Sequence, residues 1–359
     1  MKKVAVLGGT GAIGSRVVNL LKKEYFVKAS YHTRARASEE NCEYAQLDIS
    51  DTEAIKAFCK ECSAIVNCAG ASFLNGESVA RVANELHIPY VDPSGEAFLE
   101  AKLQDIEKDN VFVFSSGYFP GLSGLLMRHI CESFDVPEKI LGLSVSEETP
   151  SQSAIEDFIL TNLSGFGVAL SYYDEGQIKK DDTDLFEIIK NRKYTFQNYL
   201  TVEAERVGRM FNLKQANWYN CSFGEEIVKK LQEAVVKFKV GNEAYKKIVD
   251  EVIHIFERNT KDIEHFTYVK VEGQGLVNNR RITRRAEVSS HCSSDLSAII
   301  AAYTVKTVLN GTYENGIYYA MDVIENRALI KEFEALDVTF SMKEIEERGI
   351  QDEYEEGDI

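Results

Sequence analysis

The chain has no apolar run approaching the ~18 residues that a membrane-spanning helix needs, which excludes that class of protein. After Met1-Lys2-Lys3 the apolar stretch stops at Gly8-Gly9, too soon for the core of a secretion signal, so a cytoplasmic protein is expected. Proline is scarce, five residues in 359, and no Pro-rich linker or internal repeat divides the chain. The seven cysteines are an odd, scattered set that fits reduced thiols better than a disulfide framework. The pair Cys59 and Cys62 lacks a second pair or a nearby histidine, so no metal site is expected. Lys and Arg (41) are outnumbered by Asp and Glu (57), and the net charge of −16 repels phosphate backbones and anionic membranes, so neither nucleic acid nor membrane is an expected partner.

What is present is a regular alternation of strand and helix signals over the first third. Val4 to Leu7 reads as a strand, Ile13, Val17, Val18 and Leu21 recur at helical spacing, and Phe26 to Tyr31 reads as a second strand. Further strands are expected at Tyr44–Leu47, Ala64–Cys68, Pro89–Val91 and Val111–Ser115, with helices at Thr52–Cys62, around Val79–Leu86 and at Ala97–Glu107. Strands separated by helices imply a parallel, doubly wound α/β sheet of Rossmann type whose ligand site lies at the strand carboxyl ends. After residue 134 the rhythm breaks. Thr149-Pro150-Ser151-Gln152 has the form of a capping box opening a helix to about Leu163, and Phe266–Glu272 and Arg281–Val288 are expected to pair as a hairpin, which together point to a second, α+β domain. The expected division is a dinucleotide-binding domain over 1–130 completed by 292–340, a substrate or dimerisation domain over 131–291, and an acidic tail over 343–359. A homodimer through the second domain is left open.

Gly8-Gly9-Thr10-Gly11-Ala12-Ile13-Gly14 sits between the first strand and the first helix, the context that a dinucleotide fingerprint requires. Gly8 permits the turn, Gly11 the approach of a pyrophosphate, and Gly14 close packing of the helix on the sheet, while the helix N-terminus faces the phosphates. At the end of the second strand, where an NAD site places an acid, the chain has His32-Thr33-Arg34-Ala35-Arg36. Arg34 and Arg36 suit a 2′-phosphate, so NADP is expected over NAD. Asp48 and the segment Asn67-Cys68-Ala69-Gly70 end the third and fourth strands, where adenine and ribose would lie.

Several segments resemble the saccharopine dehydrogenase-like (saccharopine reductase-type) oxidoreductases: the Gly8–Gly14 loop, Glu77 to Ala83 leading into Tyr90-Val91-Asp92-Pro93-Ser94-Gly95-Glu96, and Gly117-Tyr118-Phe119-Pro120-Gly121. The resemblance covers about residues 1–130 and, more faintly, 292–335. It implies a nicotinamide-dependent oxidoreductase that reduces a C=N bond of an amino-acid-derived molecule, or runs the reverse amine oxidation. Some members carry an acid before the Pro-Gly, where this chain has Phe119. Two other readings stay open: an NADP-binding sensor without turnover, and a reductase of C=C or C=O bonds. No tyrosine is followed four residues later by lysine, so the Tyr-x-x-x-Lys pair of short-chain dehydrogenases is absent.

Pro120 is expected to start a helix whose free N–H groups at Gly121 to Gly124 point into the cleft, placing Tyr118, Phe119 and Gly121 at the substrate. Asp92, at a strand end, suits loop capping or ligand contact equally. Arg280 and Arg284 share one face of a strand and are candidates to clamp a substrate carboxylate. The catalytic acid is not singled out by any pattern; Tyr268, Lys270 and His291 are candidates, and His254 is a further histidine of uncommitted role.

Overall fold

The computed structural model describes residues 1–161, 166–240, 244–334, 336 and 338–345. In chain order the first part runs β1 (Lys3–Leu7), α1 (Ala12–Leu21), β2 (Phe26–Tyr31), β3 (Cys42–Gln46), α2 (Thr52–Cys59), β4 (Ala64–Asn67), α3 (Ser72–Glu85), β5 (Tyr90–Val91), α4 (Ala97–Lys102), β6 (Val111–Phe114) and α5 (Leu122–Cys131). The middle runs β7 (Val136–Glu147), α6 (Gln152–Thr161), β8 (Gly167–Ala169), β9 (Ser171–Asp174), β10 (Gln177–Lys180), β11 (Leu185–Ile189), β12 (Arg192–Thr201), α7 (Val202–Met210), β13 (Gln215–Cys221), α8 (Glu225–Lys239), α9 (Tyr245–Thr260), β14 (Phe266–Val277) and β15 (Arg280–Ser290). The chain ends in α10 (Ser293–Asn310), β16 (Gly316–Tyr319), α11 (Ala320–Val323), α12 (Asn326–Glu334) and β17 (Thr339–Ile345).

The first sheet is seven-stranded in the order β16-β6-β5-β4-β1-β2-β3, and every pairing in it is parallel. Its strands are short apolar runs buried on both faces, as helices on each side require. α1 and α10 cover one face, through Val17, Val18, Ala301 and Val305. α2, α3 and α4 cover the other, through Ile55, Val79, Ala83 and Leu99. The strand order reverses between β1 and β4, which opens a crevice above their carboxyl ends. Six of the strands match the sequence reading; β16, returning from the C-terminal part, adds the seventh.

The second sheet is ten-stranded and mixed, with β10-β9-β13-β7-β14-β15-β17 as its main path and β8, β11 and β12 beside it. Among the described residues only β7 and β13 pair in parallel, and the hairpin β14–β15 is longer than the sequence suggested. One face of this sheet, through Ile140, Trp218, Val269, Val271, Ala286 and Val288, packs on α5 and joins the two halves in one core. The other face carries Leu143, Val145, Phe196 and Tyr219.

Four expectations change. α4 stops at Lys102 rather than Glu107. α6 is capped by Ser151, whose hydroxyl accepts from the Ala154 N–H at 3.2 Å, so the cap lies two residues beyond Thr149 and Pro150 precedes it; its end near Leu163 lies outside the described residues. Pro120 precedes the cap of α5 rather than opening the helix. Lys343 to Ile345, assigned to an acidic tail, belong to β17, which pairs with β15; residues 346–359 lie outside the described residues. No described helix is long and apolar enough to cross a membrane.

Candidate active site

β1 delivers the chain into the Gly8 turn, where φ is +71°. The turn is held by Gly8 N–H donating to the Ser30 hydroxyl (2.9 Å), Gly9 N–H to the Ser30 carbonyl (2.7 Å) and Gly11 N–H to the Gly8 carbonyl (2.9 Å). A Cβ at Gly14 would lie 2.2 Å from the Gly8 carbonyl oxygen, and one at Gly8 2.5 Å from that of Cys68. These clashes explain the glycines: α1 presses onto the turn, and the turn presses onto the end of β4. The cap of α1 is Gly11, which offers no side chain, and the first turn has no acid. The N–H groups of Ala12, Ile13 and Gly14 are therefore left without a helical or capping acceptor. α2 shows the contrast, since Asp51 caps it through the Ala54 N–H at 3.0 Å. An open N-terminus at a switch point, reached through glycines, fits a pyrophosphate.

The other expected nucleotide residues follow on neighbouring strand ends. His32, Thr33 and Arg34 are exposed beyond β2, with the His32 carbonyl held by Gln46 at 3.0 Å. Arg36 is turned onto Glu39 (3.3 Å) and the Tyr44 ring (5.3 Å), whereas Arg34 has no ion-pair partner among the described residues. The Asp48 carboxylate accepts from the Ser50 hydroxyl (2.7 Å) and N–H (2.9 Å), and these bonds hold it below the usual carboxylate range. Asn67 donates to Asn75 (3.0 Å) and Tyr90 (3.1 Å), and Cys68, Ala69 and Gly70 form the turn that touches Gly8.

Asp92, fully buried, is a loop cap. One oxygen accepts from Ser94 N–H (2.9 Å) and Gly95 N–H (2.8 Å), the other from the Ser72 hydroxyl (2.6 Å) and the Tyr90 hydroxyl (2.5 Å). No lone pair is left for a ligand. Asp157 of α6 descends on the same turn, and burial pushes its carboxyl up to about 8.

The expected anion site at Gly121 is overturned. The N–H of Gly121 donates to Glu203 Oε1 at 3.0 Å and the Ser123 hydroxyl to Oε2, so a carboxylate from α7 already occupies the N-terminus of α5. Glu203 has no exposed surface, and burial pushes its carboxyl up to about 7 despite those donors. Burial also raises the neighbouring Glu96 carboxyl well above the usual range, with the Glu203 charge adding to the effect. Tyr118 and Phe119 pack against the second sheet: Phe119 stacks on Trp218 at 5.3 Å, and Tyr118 reaches Ser144 with its hydroxyl pushed up by burial.

The expected carboxylate clamp is also overturned. Arg284 reaches the Ser133 carbonyl and the Phe134 ring beyond the far end of α5, and its guanidinium lies 3.7 Å from Glu344. Arg280 is exposed at the hairpin turn. At 3.3 Å per residue, Arg284 lies about 20 Å along β15 from Ser290. Tyr268 donates to Glu287 at 2.5 Å and buried Lys270 pairs with Glu187, both on the face of β14 turned away from the first sheet. His254 is exposed on α9 against Glu257 at 2.9 Å. His291 is exposed one residue before the cap of α10, with its ring 6.3 Å from that of His265.

What the sequence did not disclose is a row of hydroxyls at the cleft end of the second sheet. Along the core-facing side of β7, Ile140 and Gly142 give way to Ser144 and Ser146; on β14, Val271 and Val269 give way to Thr267; on β15, Ala286 and Val288 give way to Ser290. Glu148, just past β7, closes the row. Its Oε1 accepts from the Ser146 hydroxyl (2.9 Å), the Ser293 N–H at the start of α10 (3.0 Å) and, at 3.5 Å, the Thr267 hydroxyl. The first turn of α10 is bound in turn to both sides: Ser297 accepts from the Tyr118 N–H at 3.1 Å, and Arg16 of α1 reaches Asp295 and, at 3.5 Å, Cys292. Glu148, Tyr118 and Arg16 of α1 thus converge around one helix start.

The whole chain superposes on the apo, histidine-tagged saccharopine dehydrogenase (L-Glu forming) from Saccharomyces cerevisiae with a TM-score of 0.69, covering 96% of this chain and 100% of that one at 13% identity. The chain has the saccharopine dehydrogenase fold. Residues 4–87 match the model of the NAD dependent epimerase/dehydratase family. DAP dehydrogenase from C. glutamicum, in complex with DAP, aligns at a TM-score of 0.47 and 12% identity, covering 94% of this chain and 99% of that one. Uronate dehydrogenase from Agrobacterium tumefaciens aligns over 26% of this chain and 40% of its own, at 22% identity and a TM-score of 0.24. No curated protein matches the chain by sequence.

Proposed function

We propose that this protein is an NADP-dependent oxidoreductase acting on the C=N bond, or the corresponding amine, of an amino-acid-derived molecule. The observation that carries the reading is the uncapped N-terminus of α1, reached through Gly8 and Gly14, opening on the cleft that Glu148 and its hydroxyls close from the other side. The family match over residues 4–87 and the fold shared with an L-Glu-forming saccharopine dehydrogenase support it.

The N–H groups of Ala12, Ile13 and Gly14 would hold the pyrophosphate, and Arg34, exposed and without an ion pair among the described residues, the 2′-phosphate. When bound, the dinucleotide supplies or accepts the hydride. The protein's own groups orient the substrate and keep water from the reacting carbon: Tyr118, held protonated by burial, donates a hydrogen bond, and the row from Ser144 to Ser290 gives the substrate a polar floor.

Fluorescence titration with NADPH and NADH tests the cofactor. Arg34→Ala is expected to weaken NADPH at least tenfold and leave NADH unchanged, whereas Arg36→Ala has a smaller effect because Arg36 is engaged by Glu39 and Tyr44. Gly11→Asp is expected to abolish binding of both. Unchanged titrations in both Arg34→Ala and Gly11→Asp would refute the assignment.

A further inference from the structure

We propose that Glu148 is the subsite for the positively charged nitrogen of the substrate, an ammonium group or a protonated imine. This deepens the reading above and rests on it.

Several buried and half-buried carboxylates packed against the two sheets are already engaged. Asp92 and Glu203 have no exposed surface and spend their oxygens on backbone and hydroxyl donors. Glu138, Glu272 and Glu287 are paired with lysine or arginine. Glu148 belongs to neither group. It is half-exposed at the cleft, and among the described residues it has no ion-pair partner. One oxygen is fixed by neutral donors, the Ser146 hydroxyl and the Ser293 backbone N–H, while Oε2 has no hydrogen-bond partner among the described residues. A carboxylate held rigid by neutral groups, with a free oxygen turned to neither lysine nor arginine, is completed by a cation from outside.

The surroundings define what cation fits. Tyr118 lies close enough for the Glu148 charge to raise its hydroxyl, and Ser146 and Thr267 share a 2.6 Å hydrogen bond beside it. Such a site offers an N–H-bearing cation one charge and several acceptors. A ketone or an alkene presents no charge to meet it, so the geometry discriminates for nitrogen. Pairing with an anion also favours the protonated imine over the neutral one, and the protonated form is the better electrophile.

Trp218 supplies a reporter, since it is the chain's one tryptophan and stacks on Phe119, the neighbour of Tyr118. Protein saturated with NADP is titrated with L-glutamate and L-lysine and, separately, with glutarate and hexanoate, following tryptophan emission. Saturable binding of at least one amine, at least tenfold tighter than its counterpart without the amino group, is expected. Glu148→Gln keeps an acceptor for the Ser293 N–H and removes only the charge, so it is expected to erase the tenfold discrimination while NADP binds as in the parent. Glu148→Asp, which keeps the charge, retains part of it. Equal discrimination in Glu148→Gln, or no saturable amine binding to protein that does bind NADP, overturns the subsite alone. Failure of the parent to bind NADP overturns the oxidoreductase reading and the subsite with it.

Discussion

At the scale of single residues, Glu203 shows how burial and hydrogen bonding compete for one carboxyl group. The Gly121 N–H and the Ser123 hydroxyl favour the charged form, yet the absence of any water contact outweighs them and moves the group up to about 7. Because the folded chain holds this proton more tightly than the unfolded chain, whose ordinary value is 4.5, its contribution to stability is fully present below the unfolded value and is lost as pH rises through about 7. Asp157, moved up to about 8, acts in the same direction. The melting temperature is therefore expected to fall between pH 5 and pH 8. Glu203→Gln, which keeps the shape and cannot ionise, should flatten that slope, as differential scanning fluorimetry across the range would show. An unchanged slope in the variant would place the effect elsewhere.

At the scale of elements, the ion pair of Lys270 on β14 with Glu187 on β11 fastens the β11–β12 hairpin over the second sheet. The lysine side chain is 5% exposed, so removing Glu187 leaves a buried charge met only by Glu272 at 3.6 Å, which costs up to about 3–5 kcal/mol. Glu187→Leu alone is expected to lower the urea midpoint clearly, and Glu187→Leu combined with Lys270→Met to restore most of it. This element contact is also an example of what a linear reading misses. The alternation of β1, α1, β2, α2 and β4 was legible because each signal is local: a β-branched run, a glycine turn, a 3.6-residue stripe. The glycine loop was legible for the same reason. β16, four residues long and paired with β6 from across the chain, carries no such signal. Glu203 and Glu148 were not legible because their acceptor roles depend on N–H groups 82 and 145 residues away. The arginines of β15 misled because periodicity shows which face a residue takes and not how far along the strand the cleft lies.

At the scale of the whole molecule, the two sheets are not beads on a string. Glu203 and Glu148, both from the part of the chain between the two halves of the first sheet, bind the starts of α5 and α10, and a continuous core runs from Leu125 to Val269. The starts of α5 and α10 are satisfied only with these carboxylates in place. A single calorimetric transition, with equal calorimetric and van't Hoff enthalpies, is the expected outcome; two resolved transitions would contradict this coupling. The charge distribution fits the same picture. The basic stretch from Arg281 to Arg285 is met by Glu138, Glu272 and Glu344, so the net charge of −16 is not relieved by an open basic patch there.

The position of β16 also has a consequence during synthesis. β6 leaves the ribosome with its outer backbone groups unpaired, and the strand that covers them lies about 200 residues later. At 5–20 residues per second, that edge stays open for about 10–40 s while the strands β7 to β15 of the second sheet are being made. An apolar parallel sheet with a bare edge is a template for pairing with other chains. The nascent protein is thus most vulnerable to aggregation in the interval between its two visits to the first sheet, and that interval is set by gene order, not by the stability of the finished fold.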